Sequence, residues 1–156
     1  MSNNPKYKFL FDWILIDKLA IGTSPTSESD LVQLKKNKVK NILGLCSEKE
    51  VHWHEKIDND FSCYRLVLPD SHKKTLPTTE QLNDAFNLLK DLVRKDITFI
   101  HCIASMERSP LLCIMLVMEK YKLNLEDALD FVKRVHKETN PTNDQLLCIK
   151  NFIEKN

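Results

Sequence analysis

The residues best suited to chemistry lie together in residues 97–110, ITFIHCIASMERSP. Residues 97–100 form a wholly apolar run of the sort found in a buried strand. Cys102 then opens a polar loop and Arg108 closes it, with five residues between them. Pro110 follows, where the first turn of a helix tolerates a missing N–H. Backbone N–H groups of a loop between a strand and a helix, with the helix N-terminus, form an anion site. The same field stabilises a thiolate at Cys102. Arg108 supplies a planar fork that grips two oxygens of a phosphate. A nucleophile and an anion clamp thus stand at opposite ends of one loop, with Ile103, Ala104, Ser105, Met106 and Glu107 between them.

Such a loop needs a rigid frame. Apolar runs at 13–16 and 19–21 flank Asp17 and Lys18, which predicts two strands and a turn. Ser27 with Asp30 three residues on starts a short helix that ends near Asn37. Residues 39–45 (VKNILGL) and 64–68 (YRLVL) read as strands, the second stopped by Pro69. Thr78 and Gln81 form a capping box for a helix through about Lys95, with Leu82, Ala85, Phe86, Leu88, Leu89, Leu92 and Val93 at helical spacing. A helix is expected from Pro110 to Tyr121, and because Leu111 to Met118 is apolar on every side it is expected to be central and enclosed. A further helix is expected over 125–137, and Thr142 with Gln145 opens a last one. Strands mixed with helices, with helices gathered toward the C-terminal half, predict one α/β domain around a central sheet.

Composition narrows the function. At 156 residues, 42% hydrophobic and a net charge of +1, the chain fits one domain. The neutral balance excludes strong generic attraction to nucleic acid or acidic membranes. No apolar run approaches the roughly 18 residues of a membrane span. Residues 1–8 are polar and read as a flexible tail, leaving 9–156 as the domain. Five cysteines, an odd number spread along the chain, are expected to be thiols of a reducing, cytoplasmic compartment. Cys113 and Cys148 lie on apolar helix faces and read as core. His52, Trp53 and His54 between Cys46 and Cys63 match no zinc spacing, so no metal is expected.

HCIASMERS matches the H-C-x5-R-[ST] signature of the cysteine-dependent protein tyrosine phosphatases. The rest of the chain, over about residues 13–153, resembles the small dual-specificity branch in WILIDKLAIGT, VKNILGLC, YRLVLPD and NPTNDQL. The resemblance implies a central mixed sheet with helices on both sides and a phosphate loop between a strand and a helix. It implies hydrolysis of phosphomonoesters without metal or cofactor, through a thiophosphoryl intermediate on Cys102. Loop N–H groups and Arg108 would hold the phosphate oxygens, and Ser109 would hydrogen-bond the sulfur. His101 would organise the loop and tune Cys102. The family's general acid is an Asp on a loop about thirty residues before the Cys, and Asp70 stands 32 residues before Cys102. Cys46 corresponds to a cysteine that can lie near the nucleophile and form a reversible disulfide with it.

The sequence departs from the family at two loop positions. Glycine is common at the third and often the fifth residue after the Cys, where this chain has Ser105 and Glu107. Ser105 is expected to alter the loop, because glycine permits positive φ. Glu107 is expected to point away from the phosphate, toward a cation. The loop lacks lysine, which argues against highly charged polyphosphate substrates, and Lys73 and Lys74 beside Asp70 read as solvated. Protein phosphotyrosine is the expected substrate, with phosphoserine and phosphothreonine next, and the chain is expected to act as a monomer. The alternatives are a phosphate-binding module with little turnover and a rhodanese-type sulfurtransferase. The latter has no use for Asp70, His101 or Ser109.

Overall fold

A computed structural model describes residues 7–71 and 74–155. Strands β1 (Phe11–Leu15) and β2 (Leu19–Gly22) form an antiparallel hairpin around Asp17, which takes φ 61° in the turn. Helix α1 (Glu28–Lys36) follows, its Ser27 and Asp30 making the reciprocal capping box that the sequence predicts. Strand β3 (Asn41–Gly44), a short 3-10 turn at Ile57–Asn59 and strand β4 (Ser62–Arg65) come next. Helix α2 (Thr79–Lys95) is capped by Thr78 and Gln81. It leads to strand β5 (Thr98–His101) and helices α3 (Arg108–Tyr121), α4 (Leu125–Val135) and α5 (Asn143–Lys155).

The five strands make one mixed sheet in the order β1-β2-β5-β3-β4. β5 is the central strand, parallel to both β2 and β3 and buried along its whole length. Its residues alternate between two cores. Ile100 joins Leu43, Ile21 and the apolar faces of α2 to α5 on one side, while Phe99 joins Ile42, Ala20 and Leu34 of α1 on the other. The domain is therefore an α/β sandwich with helices on both faces. Residues Arg108 to Val117 of α3 are buried without interruption, so the apolar stretch of this helix is enclosed as expected, while Glu119 to Tyr121 are exposed. Among the described residues, no helix is long and apolar enough to cross a membrane. All five cysteines are free thiols.

Two elements differ from the sequence expectation in ways that shape the site. The strand expected over 64–68 is regular only through Arg65. Beyond it, Leu66 and Leu68 still donate to the carbonyls of Gly44 and Leu45, each at 3.0 Å, but the ladder becomes irregular. The helix expected over 125–137 stops at Val135, because His136 turns out of it with φ −140° and ψ 94°. That exit sends the His136 ring inward, where it is wholly buried.

Candidate active site

Open α/β sheets bind ligands beyond the carboxyl ends of their parallel strands. β5 delivers His101 and Cys102 to that edge, and the chain loops through Glu107 before α3 begins. Cys102 Sγ lies 3.2 Å from Ser109 Oγ, both buried at the N-terminus of α3. The tautomer of His101 is fixed by its neighbours. Trp53 Nε1–H, which can only donate, meets His101 Nε2 at 2.7 Å, so Nδ1 carries the ring proton. Nδ1–H faces the Cys102 carbonyl oxygen at 2.9 Å and holds the first peptide of the loop. Burial pushes the His101 pKa down to about 4, so the ring is neutral near pH 7. Gly44 makes room for this pair, since a Cβ there would stand 2.8 Å from Trp53 Cζ2 and 2.9 Å from His101 Nε2. Arg65 stacks over the Trp53 ring at 3.9 Å and donates to the carbonyls of Cys46 (2.6 Å) and Val51 (3.1 Å).

Arg108 is buried and gripped end-on by Glu50, with Nη2 to Oε1 at 2.9 Å and Nη1 to Oε2 at 3.2 Å. Nη1 also reaches the Leu68 carbonyl at 3.3 Å. A bidentate grip on the two terminal nitrogens leaves the Nε–Nη2 edge of the fork for an anion. Burial alone would raise the Glu50 pKa, but the hydrogen bonds from Arg108 and Ser47 and the Arg108 charge outweigh it and lower it.

Asp70 is half-buried two residues beyond Leu68, so the Arg108 contact anchors the approach to it. Its carbonyl accepts from Thr75 Oγ1 at 3.2 Å. The neighbouring Ser71 hydroxyl donates to the Glu107 carboxylate, which also accepts from Gln145 Nε2 of α5 at 3.4 Å. Among the described residues, Glu107 thus meets neutral donors. The Asp70 segment and the first turns of α5 supply the hydroxyl and the amide that satisfy it. Lys73 lies outside the described residues, and Lys74 is exposed.

Ser105 does take the conformation that a glycine would favour, at φ 62° and wholly buried. A non-glycine residue there costs about 1 kcal/mol unless its surroundings hold it. They do: His136 Nε2 lies 2.7 Å from the Ser105 carbonyl oxygen and 3.0 Å from its Oγ. Ile103 and Ala104 are half-buried, and Met106 is exposed. Asp12, His136 and Glu138 form the one cluster among the described residues with metal-ligand spacing, their atoms within 4.8 Å of one another.

Cys46 is buried, and its thiol is pushed up to about 11, first by burial and next by the charge of Cys102. Burial likewise raises the thiol of Cys113 inside α3. The sequence reading overlooked Glu50, Trp53, Asp12 and His136. Trp53 entered only with His52 and His54, as part of a spacing that matches no zinc site. The others lie 58, 90 and 34 residues from the groups of the loop they serve or from Cys102, with no local pattern to mark them.

The sequence matches the family described as dual specificity phosphatase, catalytic domain, over residues 19–154. No curated protein matches it significantly. Among solved structures it resembles Tk-PTP in its active form, with a TM-score of 0.79 and 21% identity, covering 94% of this chain and 97% of that one. The human tyrosine phosphatase-like serine/threonine/tyrosine-interacting protein gives a TM-score of 0.79 at 17% identity, with 93% and 96% covered. PTPMT1, solved in complex with PI(5)P, gives 0.78 at 15% identity, with 93% and 95% covered. At these identities the structures establish the fold, and the family match across most of the length establishes descent. The chain belongs to the dual specificity phosphatases, as a small member of the cysteine-dependent protein tyrosine phosphatase superfamily.

Proposed function

We propose that the protein hydrolyses phosphomonoesters, protein phosphotyrosine foremost, through a cysteinyl-phosphate intermediate. The observation that carries this reading is the loop itself. Cys102 Sγ lies beside Ser109 Oγ at the N-terminus of α3, and a buried Arg108 is fixed by Glu50 at the loop's other end. A phosphate seated over the helix N-terminus meets the loop N–H groups and the open edge of Arg108. The Cys102 thiolate attacks phosphorus as the ester oxygen leaves with a proton from Asp70. Ser109 donates to the sulfur and eases its departure when water, deprotonated by Asp70, attacks in the second step. His101 transfers no proton in this scheme, because its one ring proton is committed to the Cys102 carbonyl.

The absence of lysine between Cys102 and Arg108 favours a singly phosphorylated side chain over a polyphosphate headgroup. The test is to mix Asp70→Asn with an aryl phosphate of good leaving group and quench with acid. The first step then needs little acid catalysis while the second lacks its base, so phosphate should accumulate on Cys102 by peptide mass spectrometry. A second reading, recognition without turnover, is motivated by Ser105 and Glu107 standing where glycine is common in the family. It predicts bound phosphate analogue, no adduct and no hydrolysis.

A further inference from the structure

We propose that His136 is a positioning residue that lets a serine occupy the glycine-like turn of the phosphate loop, with Asp12 and Glu138 fixing its ring. The inference rests on the reading of this loop as the phosphate site. Ser105 is the only residue between Cys102 and Arg108 with positive φ, at 62°. The His136 ring is wholly buried beneath it. Nε2 lies 2.7 Å from the Ser105 carbonyl oxygen, an atom that only accepts, so Nε2 carries a proton. Ser105 Oγ, 3.0 Å from the same nitrogen, shares that contact and fixes the side chain's direction. On the ring's other side Nδ1 lies 2.7 Å from Asp12 Oδ2 and 3.4 Å from Glu138 Oε2. The two carboxylates thus aim the imidazole, much as second partners orient a ligating histidine.

The same stretch holds the loop at one further point. Thr139 Oγ1 donates to the His136 carbonyl at 2.7 Å, which fixes the turn after α4. Asn140 N–H donates to the Met106 carbonyl at 2.7 Å. Residues on β1 and on the α4–α5 connection therefore set the peptide orientations of Ser105 and Met106. Those orientations decide where the neighbouring loop N–H groups point, and these are the donors that an oxyanion would meet. With glycine at 105 the left-handed conformation is freely accessible and the clamp is unnecessary. With serine it must be imposed from outside.

The test is a double-mutant cycle of His136→Ala and Ser105→Gly. Two readouts are taken, affinity for tungstate as an inorganic phosphate analogue and kcat with an aryl phosphate. Far-UV circular dichroism and Tm confirm that each variant is folded. His136→Ala should weaken tungstate binding and lower kcat by up to about 10²-fold, the effect of a small misplacement at a reacting centre. Ser105→Gly serves as the reference for the second arm of the cycle, and adding His136→Ala to it should cost far less than His136→Ala costs in the wild type. A purely structural role would make His136→Ala cost as much in either background, and that result would overturn the proposal. So would unchanged tungstate affinity in folded His136→Ala. If His136→Ala does not fold, Asp12→Asn replaces it in the cycle, with impairment expected in the Ser105 background and relief with glycine. Tungstate binding reports on the clamp even if the wild type proves unable to turn over, so failure of the phosphatase reading remains distinguishable.

Discussion

Glu50 and Arg108 meet end-on across 58 residues of chain, with carboxylate-to-guanidinium distances of 2.9 and 3.2 Å. The pair sits under the loop, with only 8% of the Arg108 side chain and 19% of the Glu50 side chain exposed. It fixes the plane of the fork before any anion arrives, so less order is lost on binding.

Removing Glu50 strands a buried guanidinium. Breaking such a pair typically costs about 3–5 kcal/mol, and Glu50→Ala should lose an amount of that order in urea unfolding, together with tungstate affinity. The lowered Glu50 pKa also gives a sign. A carboxyl with a depressed folded-state pKa contributes stability above its ordinary range and loses it as pH falls through the folded value. Glu50→Gln should therefore flatten the acid side of the stability profile. A profile as steep as wild type would mean the ion pair contributes little.

His101 adds a second acid sensitivity. Its pKa falls from an ordinary 6.5 to about 4 because the ring is buried. Between these values the unfolded chain takes up a proton that the folded chain refuses, so stability drops as pH falls from about 6.5 to about 4. The full shift corresponds to about 3 kcal/mol. Denaturant midpoints of wild type and His101→Asn should diverge at pH 7 and converge toward pH 4. Parallel midpoints across that window would contradict the buried neutral ring.

Glu107 ties the segment that carries Asp70 to the phosphate loop through the Ser71 hydroxyl. Glu107→Ala should free that segment and lower kcat by about tenfold, within the range a positioned acid contributes. Tungstate affinity should hold or improve, because a carboxylate leaves the neighbourhood of the anion. Equal losses in both would place Glu107 in anion binding instead.

Much of this was legible along the chain because the signals are local. Capping boxes at Ser27, Thr78 and Thr142 pair residues three apart, and each forms its reciprocal or paired contact in the structure. The buried run Thr98–His101 and the apolar face of α3 announce themselves by composition. The loop from Cys102 to Arg108 is one contiguous segment, so its chemistry could be read directly. Its supports could not. Glu50 stands 58 residues from Arg108, Asp12 stands 124 residues from His136, and Trp53 stands 48 residues from His101. The sheet order, which places β2 and β3 on either side of β5, and the packing of α4 against β1 bring these segments together. Ser105 shows the boundary most clearly, since the sequence flags the missing glycine while the histidine that supports the serine lies 31 residues on.

The most direct measurement is metal-free turnover of two aryl phosphates, one with a good and one with a poor leaving group, by wild type, Cys102→Ser and Asp70→Asn. Wild type should hydrolyse both, and Cys102→Ser neither. Asp70→Asn should lose about 10²-fold or more on the poor leaving group and far less of the first step on the good one. Folded wild-type protein that binds tungstate yet hydrolyses neither ester under reducing conditions would contradict catalysis through Cys102.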